Sequence, residues 1–482
     1  MTDPADNNSA SPTNTTPTAR YDLAVIGAGS AGFSAALTAA EQGAQVALLG
    51  FGAIGGTCVN VGCIPSKTMI RAAQALHHGK TAARFAGLAG HAELQAWDAL
   101  VNQKNALVAQ LRQTKYRDLL SAYPNIAYRQ GQVRLIEGGV ALDNTPIEAD
   151  STIIATGAAP TIPDISGIET VNCLTSTQAL DLTQRPDSLL VIGGGYIGCE
   201  LAQMFARAGA AVTLVCRSRL LPEAEPEIST ALTGYLRDEG ITVADRLAYQ
   251  AIRPTDQGIA LDVRQNGQDR TIRAQQVLAA TGRRPNSRGL NLEQRGIELL
   301  PNDGIKVNDK MRTSRPGVYA AGDVTGRDPF VYMAAYGAKI AAKNALNGDR
   351  LGYDNSAMPW VVFTDPQVAG VGLSEAAAKQ RGFAVKTASI RLDQLPRALA
   401  ARDTRGLIKL VADKKTNKLL GAQLLAPEGA DSIQTAAMAI RCGLTVGALA
   451  DSLFPYLTTV EGLRLAAQAF DRDITKLSCC AG

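Results

Sequence analysis

YDLAVIGAGSAGFSAALTAAEQGAQVALLG, residues 21–50, contains the pattern that decides the fold of the chain. An apolar run, a glycine turn, an alanine-rich run and a second apolar run predict strand, helix and strand. In the turn, Gly27, Gly29 and Gly32 have the spacing G-x-G-x-x-G. The first glycine permits the tight turn, the second lets a pyrophosphate approach the backbone, and the third lets helix and strand pack closely. The stretch therefore predicts a Rossmann-like fold with a dinucleotide at the N-terminus of the helix.

The same pattern recurs in SLLVIGGGYIGCELAQMFARAGAAVTLVCRSR, residues 188–219. Its three glycines are Gly193, Gly195 and Gly198. The second strand of this copy ends beside Arg217 and Arg219, where an acid would otherwise meet the ribose hydroxyls of NADH. Guanidinium groups attract a 2′-phosphate, so this copy is predicted to bind NADPH. Two solvated surface arginines are the simpler alternative.

Two dinucleotide folds imply two nucleotides, and we expect a bound FAD in the first and a diffusible NADPH in the second. Thr156 and Gly157 end one apolar strand at ATG, Gly282 ends another, and both are predicted crossover points that contact the nucleotides. Asp323 in VYAAGDVT follows a third strand and is predicted to hold the ribityl chain of the flavin, unless it is an ordinary turn aspartate. Gly50 stands where an acid should meet the ribose of FAD, so that contact must be missing or supplied elsewhere.

GGTCVNVGCIPSK, residues 55–67, is the most specific stretch, with four residues between Cys58 and Cys63. At the entry to a helix this spacing places the two sulfurs on successive turns, if the glycines let the backbone deform. A thiol near a helix N-terminus has a lowered pKa, and Lys67 adds a positive charge one turn further on. Glu200 is the predicted partner of Lys67. A structural zinc half-site is the alternative, but no matching Cys/His pair accompanies it.

The bulk composition limits the remaining function classes. A chain of 482 residues is too long for one core, so two to four domains are expected. The net charge of +4, without a basic run, gives no support for a nucleic-acid partner, and no apolar stretch of roughly 18 residues predicts a membrane span. Residues 1–20 are polar and are predicted to be a disordered tail. A cytoplasmic location is therefore the default expectation. In that compartment, the eight cysteines of the chain suggest redox or metal chemistry at a few positions and not a disulfide scaffold.

These motifs together resemble the flavin-dependent pyridine-nucleotide disulfide oxidoreductases, the group of glutathione reductase and dihydrolipoamide dehydrogenase. The resemblance runs from about Tyr21 to the end of the chain. It implies that Cys63 is the charge-transfer thiolate against FAD and Cys58 the exchange thiol facing the substrate. It also implies that Gly56, Thr57 and Lys67 contact FAD.

The resemblance implies an α/β architecture of two Rossmann-like domains and a C-terminal α+β domain, similar to glutathione reductase. The implied boundaries are 21–165 and 285–355 for the FAD domain, 166–284 for the NADPH domain and 356–482 for the dimerisation domain. The predicted elements are strands near 361–371 and 407–425, helices near 430–443 and 461–470, and long helices after Gln74 and around 98–120.

The C-terminal segment departs from the disulfide-reducing members of the family, which need a histidine base there. FPYLTTVEGLRL retains Glu461, but Tyr456 lies where the histidine is expected, and no histidine follows His91. A tyrosine with a pKa near 10 is a poor base at neutral pH. Reduction of an organic disulfide should therefore be slow.

The last six residues, LSCCAG, suggest a different substrate. Cys479 and Cys480 are adjacent, about 3.8 Å apart between Cα atoms, which is too short for an ordinary disulfide. Such a pair suits a soft metal ion, although a dispensable tail is the alternative. The chain resembles the Hg(II)-reducing branch of the family, in a form without an N-terminal metal-binding domain. The resemblance lies in this tail, in the segments TDPQVA and PRALA, and in the segment FPYLTTVEGLRL with Tyr456.

The resemblance implies a mechanism. Cys479 and Cys480 of a partner subunit would pass Hg(II) to Cys58 and Cys63 in an obligate homodimer, with electrons from NADPH through FAD. Small thiols, and carrier proteins as a further source, would deliver the ion. Tyr196 and Tyr456 match tyrosines beside the nicotinamide and the metal path, with plain packing as the alternative for each. The rival functions are a disulfide reductase of the same fold and a non-catalytic protein that binds soft cations.

Overall fold

The computed structural model describes residues 20–476, which form two compact units. Of the described residues, the first unit contains 20–56, 114–158 and 285–353, and the second contains 57–113, 159–284 and 354–476. Residues 1–19 of the predicted tail, together with Cys479 and Cys480, lie outside the described residues. The predicted boundaries of the three domains stay predictions.

A parallel sheet forms the centre of the first unit. Its strands in spatial order are Ile126–Gln130, Val46–Gly50, Tyr21–Ile26, Thr145–Ile154 and Val318–Ala320. The antiparallel strands Gly139–Leu142 and Val133–Ile136 extend the hydrogen bonding of Thr145–Ile154. Val46–Gly50 is buried along its whole length, as expected of a strand in a covered parallel sheet.

Helices Ser30–Ala40 and Val331–Asn347 pack together in the first unit, and Ser34 Oγ donates a 3.0 Å hydrogen bond to the Ala335 carbonyl. Their buried faces consist largely of alanine, so the two backbones approach closely and cover one side of the sheet. The helix Ser30–Ala40 follows the glycine turn directly, as the sequence predicts. Asp118–Ser121 is a further short helix of this unit.

The second unit repeats this arrangement with a five-stranded sheet among its described residues. The parallel strands in order are Thr242–Ala244, Ala211–Val215, Ser188–Ile192, Gln276–Ala279 and Cys173–Leu174. Helices Ser176–Leu180, Tyr196–Arg207 and Pro226–Asp238 accompany them. Ala248–Thr255, Gly258–Gln265 and Gln268–Ala274 form an antiparallel sheet, and Ala158–Pro160 pairs with Arg283–Pro285.

The C-terminal part of the second unit is an antiparallel sheet with helices. Its strands in order are Pro359–Val362, Gln367–Gly372, Leu419–Ala426, Leu407–Asp413 and Val385–Arg391. The helices are Glu375–Gln380, Pro396–Ala400, Gly429–Arg441, Val446–Ala450 and Glu461–Gln468. Apolar side chains from this sheet and from four of these helices form a common core. The strands and helices predicted from the sequence in this region are confirmed.

Two long helices precede these sheets in the second unit. Trp97–Arg112 confirms most of the predicted helix around 98–120, which continues through a π-helical turn, Gln113–Arg117. The helix predicted after Gln74 is wrong in its position, because the observed helix spans Cys63–Lys80. We call it the cysteine helix. No helix in residues 20–476 is both long and apolar enough to cross a membrane.

Candidate active site

The two cysteines of the glycine-rich stretch lie on consecutive helices. Cys58 is in the short helix Gly56–Asn60, and Cys63 is the first residue of the 18-residue cysteine helix. Gly62 separates them, and a Cβ there would lie 2.9 Å from the carbonyl oxygen of Thr57. The chain therefore breaks into two helices at a glycine, which is the deformation that the five-residue separation requires.

The Cys58 and Cys63 side chains are half-buried and share a hydrogen bond. This bond, followed by the positive charge of Lys67, lowers the pKa of Cys63 to about 7 in spite of burial. The same hydrogen bond and burial raise the pKa of Cys58. At neutral pH the pair therefore holds a large share of Cys63 thiolate, with Cys58 as the protonated donor.

Lys67 is fixed from two sides within the second unit. Its Nζ lies 2.7 Å from Glu200 Oε2 and 4.8 Å from the centre of the Phe363 ring. The second oxygen of Glu200 accepts a 2.9 Å hydrogen bond from the Phe363 backbone nitrogen. Because Glu200 is buried and both its oxygens are engaged, the ammonium group of Lys67 is held at one place near Cys63. The pairing of Lys67 with Glu200 was predicted from the sequence, and it is confirmed.

The glycine turn of the first unit has space only for hydrogen at its key positions. A Cβ on Gly27 would lie 2.3 Å from the Ala155 carbonyl oxygen, and one on Gly32 would lie 1.7 Å from the Gly27 carbonyl oxygen. A Cβ on Gly56 would lie 2.6 Å from the Cα of Gly29. The turn is thus a bare backbone cradle at the start of a helix, and it fits the pyrophosphate of FAD.

The turn of the second unit repeats these contacts. A Cβ on Gly193 would lie 2.3 Å from the Ala280 carbonyl oxygen, and one on Gly198 would lie 1.8 Å from the Gly193 carbonyl oxygen. A Cβ built on Gly195 would have no neighbouring atom of the described chain within 4 Å, so the backbone there is open to a ligand. This second cradle fits the pyrophosphate of NADPH.

The other residues predicted to contact FAD lie at strand ends. Thr156 Oγ1 donates a 2.7 Å hydrogen bond to the Asn286 carbonyl oxygen, and Gly157 has φ +71°. Asp323 opens a short 3₁₀ turn after Gly322, which has φ +77°. Their roles at the cofactor stay predictions.

Thr57 is exposed at the start of the same stretch as Cys58, and its Oγ1 lies 3.4 Å from Arg283 Nη2. Gly282, one residue earlier than Arg283, has φ +109°, and its carbonyl oxygen accepts a 3.0 Å hydrogen bond from the Thr161 backbone nitrogen. Both are predicted nucleotide contacts, Thr57 for FAD and Gly282 for NADPH.

The two arginines predicted to bind the 2′-phosphate differ in their surroundings. Arg217 is exposed, with its guanidinium 5.4 Å from the centre of the Tyr249 ring. Arg219 Nη2 donates 2.7 Å hydrogen bonds to the carbonyl oxygens of Pro222 and Ala224. Its Nη1 is buried without a hydrogen-bond partner in the described chain. Arg217 is thus presented to solvent, whereas Arg219 mainly fixes the turn beside it.

Tyr196 is the first residue of the helix that follows the second glycine turn, and it stacks on Trp360 with 5.7 Å between ring centres. Burial, and then the charge of Glu223, raises the pKa of Tyr196 to about 12. The phenol is therefore neutral at physiological pH.

The C-terminal segment holds the remaining predicted residues. Tyr456 is 47% exposed, while Glu461 is buried. The Leu457 backbone nitrogen donates a 3.3 Å hydrogen bond to Glu461 Oε2, so this carboxylate fixes the turn next to Tyr456. Cys479 and Cys480 lie outside the described residues, and their place in the site is a prediction.

Two aromatic residues near the predicted side chains were missed from the sequence. Phe363 contacts Lys67, and Trp360 contacts Tyr196. Both lie just before the segment TDPQVA, whose sequence shows a family resemblance but no contact with the site. Trp360 and Phe363 are more than 150 residues away from Tyr196 and Glu200 in sequence. Only the folded chain shows that they contact these two residues.

Two family models match the chain. Pyridine nucleotide-disulphide oxidoreductase matches residues 21–341, and the dimerisation domain of the same family matches residues 358–467. Together they account for most of the described residues.

Relatives and solved structures agree with these matches. The chain is 45% identical to the mercuric reductase of Streptomyces lividans over 471 residues, covering 96% of this chain and 98% of that protein. It is 45% identical to the mercuric reductase of Shigella flexneri, covering 95% of this chain and 82% of that protein. The Cu(II) complex of the HOCl-induced flavoprotein disulfide reductase RclA from Escherichia coli superposes with a TM-score of 0.82 at 29% identity, covering 93% of this chain and 99% of that one.

Proposed function

The chain belongs to the pyridine nucleotide-disulphide oxidoreductase family, and from this premise we propose that it reduces Hg(II) to Hg(0) with NADPH as the electron donor. The observation that carries the proposal is the hydrogen-bonded pair of Cys58 and Cys63, in a chain without a histidine after residue 91. Such a pair can bind a soft metal ion, while the base that an organic disulfide requires is missing.

The glycine cradle with Gly27, Gly29 and Gly32 would hold FAD, with Thr156, Gly157 and Asp323 as further contacts. The second cradle would hold NADPH, with Arg217 at the 2′-phosphate. When bound, the two cofactors supply the two electrons that convert one Hg(II) to Hg(0).

The two thiols have different parts in metal binding. Cys63 binds Hg(II) largely as a preformed thiolate, since its pKa is lowered to about 7. Cys58 loses its proton when its sulfur becomes the second ligand, because Hg(II) prefers two thiolates in nearly linear geometry. Lys67 balances the negative charge of the thiolate, and Glu200 keeps Lys67 in place. Binding of the ion should therefore release at least one proton at neutral pH.

Cys479 and Cys480 would collect Hg(II) and transfer it to the inner pair by successive exchange of thiolate ligands. The match to a dimerisation domain supports a homodimer, in which the tail of one subunit serves the pair of the other. Tyr456 and Tyr196 would line the metal path and the nicotinamide site. We place the enzyme in the cytoplasm, where NADPH is present and thiols stay reduced.

A disulfide reductase is the second candidate, because a flavoprotein disulfide reductase superposes over 93% of the chain. That reaction needs a proton donor poised near neutral pH for the leaving thiolate, and a tyrosine such as Tyr456 is a poor substitute for histidine in this task. A non-catalytic metal-binding protein would leave both nucleotide cradles without a use.

The test is NADPH oxidation by the purified protein with Hg(II) and excess small thiol, compared with glutathione disulfide as substrate. We expect Hg(II)-dependent oxidation by wild type and slow reduction of the disulfide. A Cys479→Ala/Cys480→Ala variant should lose most of the Hg(II) activity, and Cys442→Ala, which removes an exposed thiol of the same chain, should not. Faster turnover of the disulfide than of Hg(II) would favour the second candidate.

A further inference from the structure

The first nucleotide cradle lacks the acid that normally meets the adenosine ribose, and Tyr128 occupies the space where such a side chain would begin. We propose that the Tyr128 hydroxyl replaces this carboxylate and hydrogen-bonds the adenosine ribose of FAD. The inference rests on the FAD binding described in the proposed function, and it assigns one more residue of this chain to that site.

Gly50 ends the strand Val46–Gly50 at the edge of the sheet next to the glycine turn. A Cβ built on Gly50 would lie 2.9 Å from both the hydroxyl oxygen and the Cε2 of Tyr128, and 3.0 Å from the Cβ of Ala28. Ala28 is inside the G-x-G-x-x-G turn itself. The Tyr128 hydroxyl therefore lies next to the position where the Cβ of the missing acid would be. The same position also contacts the side chain of Ala28 in the glycine turn.

The sheet explains how Tyr128 reaches this point. It lies on the parallel neighbouring strand, Ile126–Gln130, in register with Leu48, two residues before Gly50. The Gly131 backbone nitrogen donates a 3.0 Å hydrogen bond to the Gly50 carbonyl oxygen, which keeps the two strand ends together. The Tyr128 side chain extends along the strand and covers the glycine. Any side chain at position 50 would collide with its ring, so Gly50 and Tyr128 form a matched pair.

The chemistry of the phenol suits two neighbouring hydroxyls. A phenol can accept one hydrogen bond and donate one, whereas a carboxylate only accepts. Burial raises the pKa of Tyr128, so the group stays protonated at neutral pH and keeps both capacities. In the described chain, residues 20–476, its hydroxyl has no protein hydrogen-bond partner, although the ring is half-buried. The hydroxyl is therefore available to a ligand at the carboxyl edge of the sheet.

The test separates the hydroxyl from the ring. In Tyr128→Phe the ring remains and only the oxygen is lost. We expect the Kd of FAD, measured by the recovery of flavin fluorescence when the holoenzyme is diluted, to rise about fivefold to tenfold. FMN has no adenosine, so its binding to the deflavinated protein should not change. The matched control is Tyr123→Phe, which removes a hydroxyl bonded to Glu41 on the surface of the same unit.

A second pair of variants tests the matched positions. Gly50→Glu should weaken FAD binding because the new side chain meets the Tyr128 ring. Gly50→Glu/Tyr128→Ala should recover it, since the carboxylate then occupies the vacated space. Unchanged FAD affinity in Tyr128→Phe, or equal losses for FAD and FMN, would overturn the inference. A wild-type protein that binds no FAD would instead overturn the proposed function.

Discussion

At the residue scale, the most informative side chain is Lys67, because it links the reactive thiol to the rest of the second unit. Its charge lowers the pKa of Cys63, and its own position depends on Glu200 and Phe363. The spacing of Cys63 and Lys67 was enough to predict this charge effect. Only the cation–π contact with Phe363 needed the structure, since no sequence pattern relates the two residues.

We predict that Lys67→Met raises the pKa of Cys63, because the thiolate loses its nearest positive charge. At about pH 6, iodoacetamide should then alkylate Cys63 in the reduced enzyme about tenfold more slowly than in wild type. The difference should vanish at high pH, where the thiol is ionised in both proteins. Mass spectrometry of the Cys63 peptide, with the exposed Cys442 as internal reference, measures the rate.

The control for this prediction is Lys80→Met, which removes an exposed lysine from the last turn of the same helix. It should leave alkylation of Cys63 unchanged. Equal rates for Lys67→Met and wild type at low pH would show that the hydrogen bond from Cys58 alone sets the pKa.

At the element scale, the break between the two cysteine-bearing helices decides the geometry of the pair. The sequence indicated a deformed helix entry from its glycines, and the structure identifies Gly62 as the point of the break. A Cβ at this position would lie 2.9 Å from the Thr57 carbonyl oxygen, and this close approach of the backbone accounts for the requirement for glycine.

We predict that Gly62→Ala moves Cys58 away from Cys63, because a Cβ 2.9 Å from the Thr57 carbonyl oxygen forces one helix to shift. Such overpacking costs about 1–3 kcal/mol, which should lower the Tm of the reduced protein measured by calorimetry. The pKa of Cys63 should rise with the loss of the hydrogen bond. Slower alkylation of Cys63 near neutral pH would report this second effect.

Gly234→Ala is the matched control, because Gly234 lies inside the helix Pro226–Asp238 with no atom of the described chain within 4 Å of its Cβ position. This change should stabilise that helix by about 0.5–1 kcal/mol. A Tm for Gly62→Ala equal to or above wild type, with normal alkylation, would contradict the role assigned to Gly62.

The element predictions from the sequence failed where periodicity had no clear boundary. The helix predicted after Gln74 starts at Cys63, because a glycine cap followed by cysteine and proline in the first turn does not resemble a typical amphipathic start. The proline is at the third helical position, where its missing N–H does no harm. The two Rossmann-like units were predictable because each has strand, glycine turn and helix in immediate succession.

At the scale of the whole molecule, the main expectation is that two chains share each active site. We predict that an inactive Cys63→Ala protein and a weakly active Cys479→Ala/Cys480→Ala protein regain Hg(II) reduction after they are mixed through unfolding and refolding with FAD. Random pairing gives half mixed dimers, and one site of each would have both an intact pair and an intact tail from the other subunit. About a quarter of wild-type activity should therefore return.

The same mixing experiment distinguishes the two possible origins of the tail. If Cys479 and Cys480 serve the pair of their own chain, no mixed dimer contains a complete site and activity stays at the level of the parent variants.

The sequence alone predicted the domain order and the site thiols, but the ribose contact at Gly50 could not be assigned. Tyr128 is 78 residues away in sequence, and only the parallel pairing of two strands brings it there.

The strand Val318–Ala320 has a consequence for synthesis of the protein. It pairs with Thr145–Ile154 near the centre of the first unit, yet it follows the first strand by about 300 residues. After the strand Thr145–Ile154 has been made, a ribosome that adds about 5–20 residues per second needs roughly 8–33 s to reach it. During that time Thr145–Ile154 has an unpaired edge, which invites association with other chains. The nascent first unit therefore needs protection of this edge, for example by a chaperone, until Val318–Ala320 has been synthesised.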